Sequence, residues 1–219
     1  LAVTRQHKLV DLEIEQQINT EIVGCIYKGV VKNIVPAVDG IFVDIGIGKN
    51  AFLRRKDLLN EKRFPTEGSP ILAQVIKSDT DMKGALITEK ISMFGKYAVT
   101  LSGTGYIGVS KKIRQESVRK RLKEIGKEIC AEHMGLIIRT AAENADMDEF
   151  RKDITRLKEN WDIIQKRFRM EKSPTLLYRE SDIIVKALRD YVNKGTEILI
   201  TDNRKIYERI CKLNESEHT

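Results

Sequence analysis

The sequence predicts an α+β protein of several subdomains, one of them a small OB-type β-barrel. Three observations predict it. From Val23 to Thr88 the chain breaks into roughly five short apolar runs separated by glycine-rich or polar turns, the pattern of a small barrel with corners. Met147, Phe150, Ile154, Leu157, Trp161, Ile164 and Phe168 step by three and four residues, a continuous apolar stripe over about six helical turns. The carboxyl end alternates short strand-like runs with helical ones, which reads as an α/β unit.

Composition narrows the class. The 219 residues suffice for one large domain or two small ones, and 41% hydrophobic with 32% charged residues is globular. The net charge of +7 comes from 39 Lys+Arg against 32 Asp+Glu, an excess that points only generally to an anionic partner. It is concentrated between Leu101 and Cys130, where eight basic residues face three acidic ones. Cys25, Cys130 and Cys211 are odd in number and form no C-x-x-C pair, and His7, His133 and His218 are scattered. A disulfide framework or a metal site built from these is not expected; free thiols in a reducing, cytoplasmic compartment are. No apolar run is long enough to span a bilayer. No signal peptide is visible at Leu1, where the chain opens as if in mid-domain.

The elements follow in order. Val10, Leu12 and Ile14 alternate with Asp11, Glu13 and Glu15, the period of a half-buried strand that must pair with strands from elsewhere. Five barrel strands are expected at 24–34 (with a bend or bulge at Gly29), 40–46, 50–53, 72–77 and 85–88. Phe42 and Phe52 fall on two of them. They are either core residues or an outer platform on which bases stack. Lys83, in the polar turn before the last strand, is either a solvated lysine or a phosphate contact. Residues 93–101 and 106–110 are expected to be two strands of a hairpin joined through Gly103-Thr104-Gly105. A basic amphipathic helix follows, with Val118, Leu122, Ile125 and Ile129 on its apolar face. Gly135-Leu136-Ile137-Ile138 reads as a buried strand whose tip carries Arg139 and Thr140. A guanidinium fork beside a hydroxyl suits a phosphate, but by pattern alone a core strand whose Arg pairs with a surface carboxylate is the leading reading. Asn144 and Asp146 are cap types ahead of the long helix. After Ser173-Pro174 the expected order is strand (175–178), helix capped by Ser181 and closed by Gly195, strand (197–202), and helix (204–213). The strand near Val10 is expected to complete that sheet, with the barrel inserted between the two halves.

Several separated motifs resemble one family in one order. Gly24-Cys25-Ile26-Tyr27-Lys28-Gly29, Phe42-Val43-Asp44-Ile45-Gly46 and Asn50-Ala51-Phe52-Leu53 are similar to the S1-type RNA-binding barrel of ribonuclease E/G. Gly135-Leu136-Ile137-Ile138-Arg139-Thr140-Ala141 resembles that family's 5′-phosphate-sensing motif. Ala187-Leu188-Arg189-Asp190-Tyr191 and Glu197-Ile198-Leu199-Ile200-Thr201-Asp202 resemble its degenerate ribonuclease-H-like part. The resemblance implies an S1-type OB barrel (23–89) and a 5′-sensor α/β subdomain (90–172), inserted in a split ribonuclease-H-like unit (1–22 and 173–219). It implies a single-strand-specific endoribonuclease of RNA processing and decay that prefers a 5′-monophosphate end. By the same resemblance Phe42, Phe52 and Lys83 contact RNA on the barrel, Arg139 and Thr140 bind the 5′-phosphate, and Gly95 and Val99 line the pocket for the terminal nucleotide.

The family's chemistry resembles metal-assisted phosphodiester hydrolysis, with Mg2+ held by carboxylates of a DNase I-like domain. A cysteine pair beyond that domain holds a zinc ion shared between subunits of a homo-oligomer. Neither lies before Thr219, and Asp11, Glu13, Asp182, Asp190 and Asp202 form no evident metal cluster. The expectation is therefore a region that binds RNA and senses its end but has no catalytic or metal residues of its own. The alternative is a stand-alone RNA-binding module with no nuclease parent.

Overall fold

The computed structural model describes residues 1–12, 22–62, 64–80, 82–130, 134–179, 183–192 and 196–217, with backbone alone for 213–217. The chain divides into two compact units, Leu1–Thr20 with Ser181–Thr219, and Glu21–Glu180.

The first unit opens with a hairpin of β1 (Ala2–Arg5) and β2 (Lys8–Leu12). The strand expected at Val10 is present, but its partner is its own sequence neighbour. It is exposed along its whole length, with Leu9, Val10 and Leu12 each more than half accessible. Among the described residues its apolar alternation stays accessible, so the expected half-buried strand is not found. Ile14 lies outside the described residues.

In the second unit β3 (Ile26–Val35), β4 (Gly40–Asp44), β5 (Ala51–Arg54), β6 (Pro70–Lys77) and β7 (Leu86–Thr88) close into a barrel in the order β3-β4-β5-β7-β6, with β6 returning to β3. All five strands expected from the sequence are there. Their inward residues, among them Val31, Ile41, Val43, Leu53, Val75 and Ile87, form one buried core. The register shift in β3 lies between Val31 and Asn33, not at Gly29, which stays in step with β6.

The next strands depart from expectation. The run 93–101 is two strands, β8 (Ser92–Phe94) and β9 (Ala98–Ser102), folded back at the Gly95-Lys96-Tyr97 turn. β10 (Ile107–Val109) does not pair with β9. Between them lies β11 (Met134–Ile138), giving the order β10-β11-β9-β8 with β10 parallel to β11. A parallel neighbour needs a crossover, and the basic helix α1 (Glu116–Ile129) supplies it. One face of this sheet packs on α1 and on the long helix α2 (Met147–Met170), joining Leu122, Leu136, Ile138, Phe150, Ile154, Leu157 and Ile164 in a second core. The α2 stripe is buried as its period requires, with Trp161 half-buried against that core.

β12 (Thr175–Tyr178) pairs antiparallel with β3. The strand foreseen at 175–178 exists, but it belongs to the barrel sheet and does not open a strand–helix–strand–helix unit. Lys28 of β3 donates its Nζ to the Phe168 and Glu171 carbonyls, 2.7 and 2.6 Å away. It thus satisfies backbone acceptors at the end of α2 and ties barrel to helix.

The first unit resumes with α3 (Ile183–Tyr191) and α4 (Arg204–Glu217). Asn203 caps α4, its Oδ1 accepting from the Lys205 and Ile206 amides. Residues 197–202 join no ladder, and Ile198 and Ile200 are exposed, so the strand expected there is absent. An apolar run forms a strand only where an edge is offered to it, and among the described residues no sheet edge is paired with this one. The Ser181 cap and the Gly195 stop lie outside the described residues, as do His133, Asp182 and His218.

Candidate nucleic-acid interface

Two groups of residues singled out in the sequence come together at separate places in the unit Glu21–Glu180. The first is on the barrel. Phe42 of β4 and Phe52 of β5 are directly opposite in register, so their side chains share one face of the sheet. Their neighbours Ile41, Val43 and Leu53 point into the core and are fully buried, which leaves the two rings on the outer face, half-buried. The ring centroids are 5.4 Å apart at an interplanar angle of 50°. Gly40 is buried under the Phe52 ring, which occupies the space a Cβ there would need. The core reading of these rings is excluded. Lys83 is exposed in the turn before β7. That turn is fixed to β5, since the Phe52 amide donates to the Ala85 carbonyl at 2.7 Å. The Lys83 amide donates to the Thr80 carbonyl and hydroxyl, and Lys49 Nζ donates to the Thr80 carbonyl at 2.8 Å. An ammonium therefore stands on a braced loop beside the strand that carries Phe52.

The second group is at the tip of the four-stranded sheet. β11 ends at Ile138, and its next residue, Arg139, leads into a single turn of 3-10 helix at Thr140–Asn144. Asp146 then caps α2 through the Asp148 amide, 2.8 Å away, so the strand tip does feed a helix start. The Arg139 amide donates to the Tyr97 carbonyl at 2.8 Å, and its Nη1 donates to the Gly95 carbonyl at 2.9 Å. The Gly95 turn therefore grips Arg139 by backbone and side chain. Val99 stands opposite both Phe94 and Ile137 on the sheet face turned away from the helices. Phe94 and Ile137 are exposed and Val99 half-buried, so an apolar row runs up to Arg139. Gly95 is itself buried.

Thr140 is exposed, with its Oγ1 2.9 Å from Ser110 Oγ. Ser110 Oγ also accepts from the Lys112 amide at 3.3 Å. Each hydroxyl has one proton to donate. When Ser110 gives its proton to Thr140, the Thr140 proton points outward to an incoming acceptor. Arg119 of α1 donates Nη1 to the Ser110 and Ile113 carbonyls at 2.7 and 2.9 Å and so braces the Ser110 loop. Neither Ser110 nor Arg119 stands out in the sequence, because their work depends on β10 lying beside β11.

One further residue was legible and missed. Asp153 interrupts the α2 stripe three residues after Phe150 and four before Leu157, on the apolar face of the helix. It is 6% exposed and accepts hydrogen bonds from the Lys96 amide (3.2 Å), the Tyr97 amide (2.8 Å) and Arg156 Nη2 (3.0 Å). An acid on an apolar helix face is a signal of such work.

No group of three or more His, Cys, Asp or Glu that could hold a metal ion occurs among the described residues, and no described helix is long and apolar enough to cross a membrane. None of Cys25, Cys130 and Cys211 is in a disulfide.

The chain is similar to known proteins along most of its length. A family model described as Ribonuclease E/G family matches residues 92–219, and one described as S1 RNA binding domain matches residues 21–88. Ribonuclease G of Escherichia coli K12 is 33% identical over 93% of this chain and 45% of the relative. Ribonuclease G of Haemophilus influenzae is 31% identical over 98% of this chain and 47% of the relative. Ribonuclease E of Buchnera aphidicola subsp. Schizaphis graminum is 31% identical over 95% of this chain and 23% of the relative. The chain thus spans less than half the length of these curated relatives.

Proposed function

Since the chain belongs to the ribonuclease E/G family and carries an S1 RNA-binding domain, we propose that it is the RNA-binding, 5′-monophosphate-sensing region of a single-strand-specific endoribonuclease. The observation that carries this reading is the pairing of Arg139 and Thr140 at the β11 tip. There the Gly95 carbonyl accepts from the guanidinium, and the Ser110 hydroxyl stands 2.9 Å from that of Thr140. A terminal phosphate monoester bears close to two charges and three acceptor oxygens, which a guanidinium fork and an adjacent hydroxyl satisfy by charge-assisted hydrogen bonds. A 5′-hydroxyl end offers no charge and a single oxygen in place of three. The apolar row of Val99, Ile137 and Phe94 gives the first base a surface to lie on.

The barrel does different work. Phe42 and Phe52 stack unpaired bases without reading sequence, and Lys83 neutralises a backbone phosphate. A duplex cannot offer its base faces to such a platform, which accounts for a single-strand preference. The bound strand is held by the barrel, and its end is read at the sheet tip.

In this proposal hydrolysis belongs to the parent enzyme, a cytoplasmic homo-oligomer of RNA processing and decay. Its Mg2+-binding carboxylates and intersubunit zinc site lie outside this chain, which by itself binds RNA without cutting it. The experiment is a titration of 5′-monophosphorylated against 5′-hydroxyl single-stranded oligonucleotide. The monophosphate is expected to bind more tightly, and Arg139→Ala is expected to erase the difference while leaving 5′-hydroxyl affinity unchanged. Equal binding of the two ends by the unmutated chain, or a preference kept by Arg139→Ala, refutes the assignment.

A further inference from the structure

We propose that Asp153 is a positioning residue for the 5′-phosphate reader, acting on Arg139 through the Gly95-Lys96-Tyr97 turn. The proposal rests on the phosphate-sensing reading of Arg139 and deepens it.

A carboxylate is rarely left on the buried face of a helix, because desolvation is costly unless every lone pair is used. Asp153 sits there, 6% exposed, between Phe150 and Leu157, both buried. Its oxygens collect the two consecutive amides of the β8–β9 turn, Lys96 at 3.2 Å and Tyr97 at 2.8 Å, together with Arg156 Nη2 at 3.0 Å. Two amides converging on one anion fix the orientation of the peptide planes between them. The Lys96 amide shares its peptide plane with the Gly95 carbonyl, one of the two carbonyls that the turn presents to Arg139. Gly95 accepts from Nη1 at 2.9 Å and Tyr97 accepts from the Arg139 amide at 2.8 Å. The Tyr97 hydroxyl adds a second tie to α2 by donating to Glu149. The path from helix to guanidinium is therefore continuous: Asp153 carboxylate, turn amides, Gly95 carbonyl, Arg139.

The same contact gives Gly95 a reason. A Cβ at this position would stand 2.7 Å from Asp153 Oδ1 and 2.8 Å from its Cγ, closer than real Cβ contacts come. The glycine lets the carboxylate close on the turn. Its place in the site is structural first: it accommodates Asp153, and the ligand is served through Arg139.

The test is the ratio of affinities for 5′-monophosphorylated and 5′-hydroxyl single-stranded RNA, measured on the 219-residue chain with Asp153→Ala, Asp153→Asn, Arg139→Ala and the Asp153→Ala/Arg139→Ala double variant. Asp153→Ala is expected to lower the ratio about tenfold, the worth of one misplaced charge-assisted hydrogen bond. Affinity for the 5′-hydroxyl strand, held by the barrel, should not change. Asp153→Asn keeps an oxygen for one amide but turns a donor toward the other, so an intermediate ratio is expected. The double variant should be no worse than Arg139→Ala alone. A folded Asp153→Ala or, where that variant does not fold, a folded Asp153→Asn with the unmutated ratio overturns the proposal. So does a double variant in which the two losses add. A wild-type chain with no preference refutes the phosphate reading itself. A wild-type preference that Arg139→Ala abolishes and the Asp153 variants keep refutes the role of Asp153 alone.

Discussion

Replacing Phe52 by alanine separates a binding surface from a structural one. Phe52 is half-buried on the outer face of β5, its ring 5.4 Å from Phe42 and lying over Gly40. Removing it costs the fold an aromatic pair worth about 0.5–1.5 kcal/mol and part of the cover over Gly40. The adjacent Leu53 is fully buried, and truncating such a residue costs about 2–5 kcal/mol. Binding follows the opposite order. A base stacked on a ring is worth about 1–3 kcal/mol, so Phe52→Ala should weaken single-stranded RNA binding about 5- to 150-fold. Leu53→Ala, where it folds, should bind nearly as the parent does. The assay is fluorescence anisotropy with a labelled 5′-hydroxyl oligonucleotide, which removes any phosphate-end contribution, alongside thermal melting of each variant. Unchanged affinity in Phe52→Ala refutes the platform. A loss of stability as large as that of Leu53→Ala would show that the ring belongs to the core after all.

Two further outcomes are expected. Ser110→Ala removes the hydroxyl 2.9 Å from Thr140 and frees Thr140 to turn its proton elsewhere. The preference for a 5′-monophosphate should fall by the worth of one neutral hydrogen bond, about 0.5–1.5 kcal/mol, in the same oligonucleotide titration, with no change in melting temperature beyond a few degrees; an unchanged preference contradicts an orienting role for Ser110. Glu89 accepts from the Leu59 amide at 2.9 Å, yet burial holds its carboxyl above the ordinary 4.5. An acid whose folded pKa is raised supports the fold below its unfolded pKa and loses that support as pH rises through the folded value. Glu89→Gln should therefore melt higher than the parent at neutral pH, with the gap closing as pH falls toward 4.5; a gap that widens on acidification reverses the sign and the reasoning.

Periodicity alone was enough for the barrel strands, α1 and α2, because each buries one face and the burial writes a period of two or between three and four into the chain. The motifs around Phe42, Phe52 and Arg139 named candidates for the interface but not Ser110, Arg119 or Asp153. Partnership is another matter. The runs at 93–101 and 106–110 were expected to be hairpin mates, yet a strand some twenty-five residues further on lies between them. The strand at 175–178 was expected to open a new unit and instead extends the barrel sheet, while 197–202 pairs with nothing among the described residues. A strand's sequence encodes which face it buries; its hydrogen-bonding edges are backbone, and every residue offers the same amide and carbonyl. The same reason separates the two halves of the site. The sequence determined that a guanidinium and a hydroxyl end one strand. Only the tertiary structure decided what holds them: Ser110 from the parallel neighbour, the Gly95 carbonyl from the β8–β9 turn, and, behind that turn, Asp153 of α2. These are contacts between segments up to 57 residues apart, a separation that no local periodicity encodes.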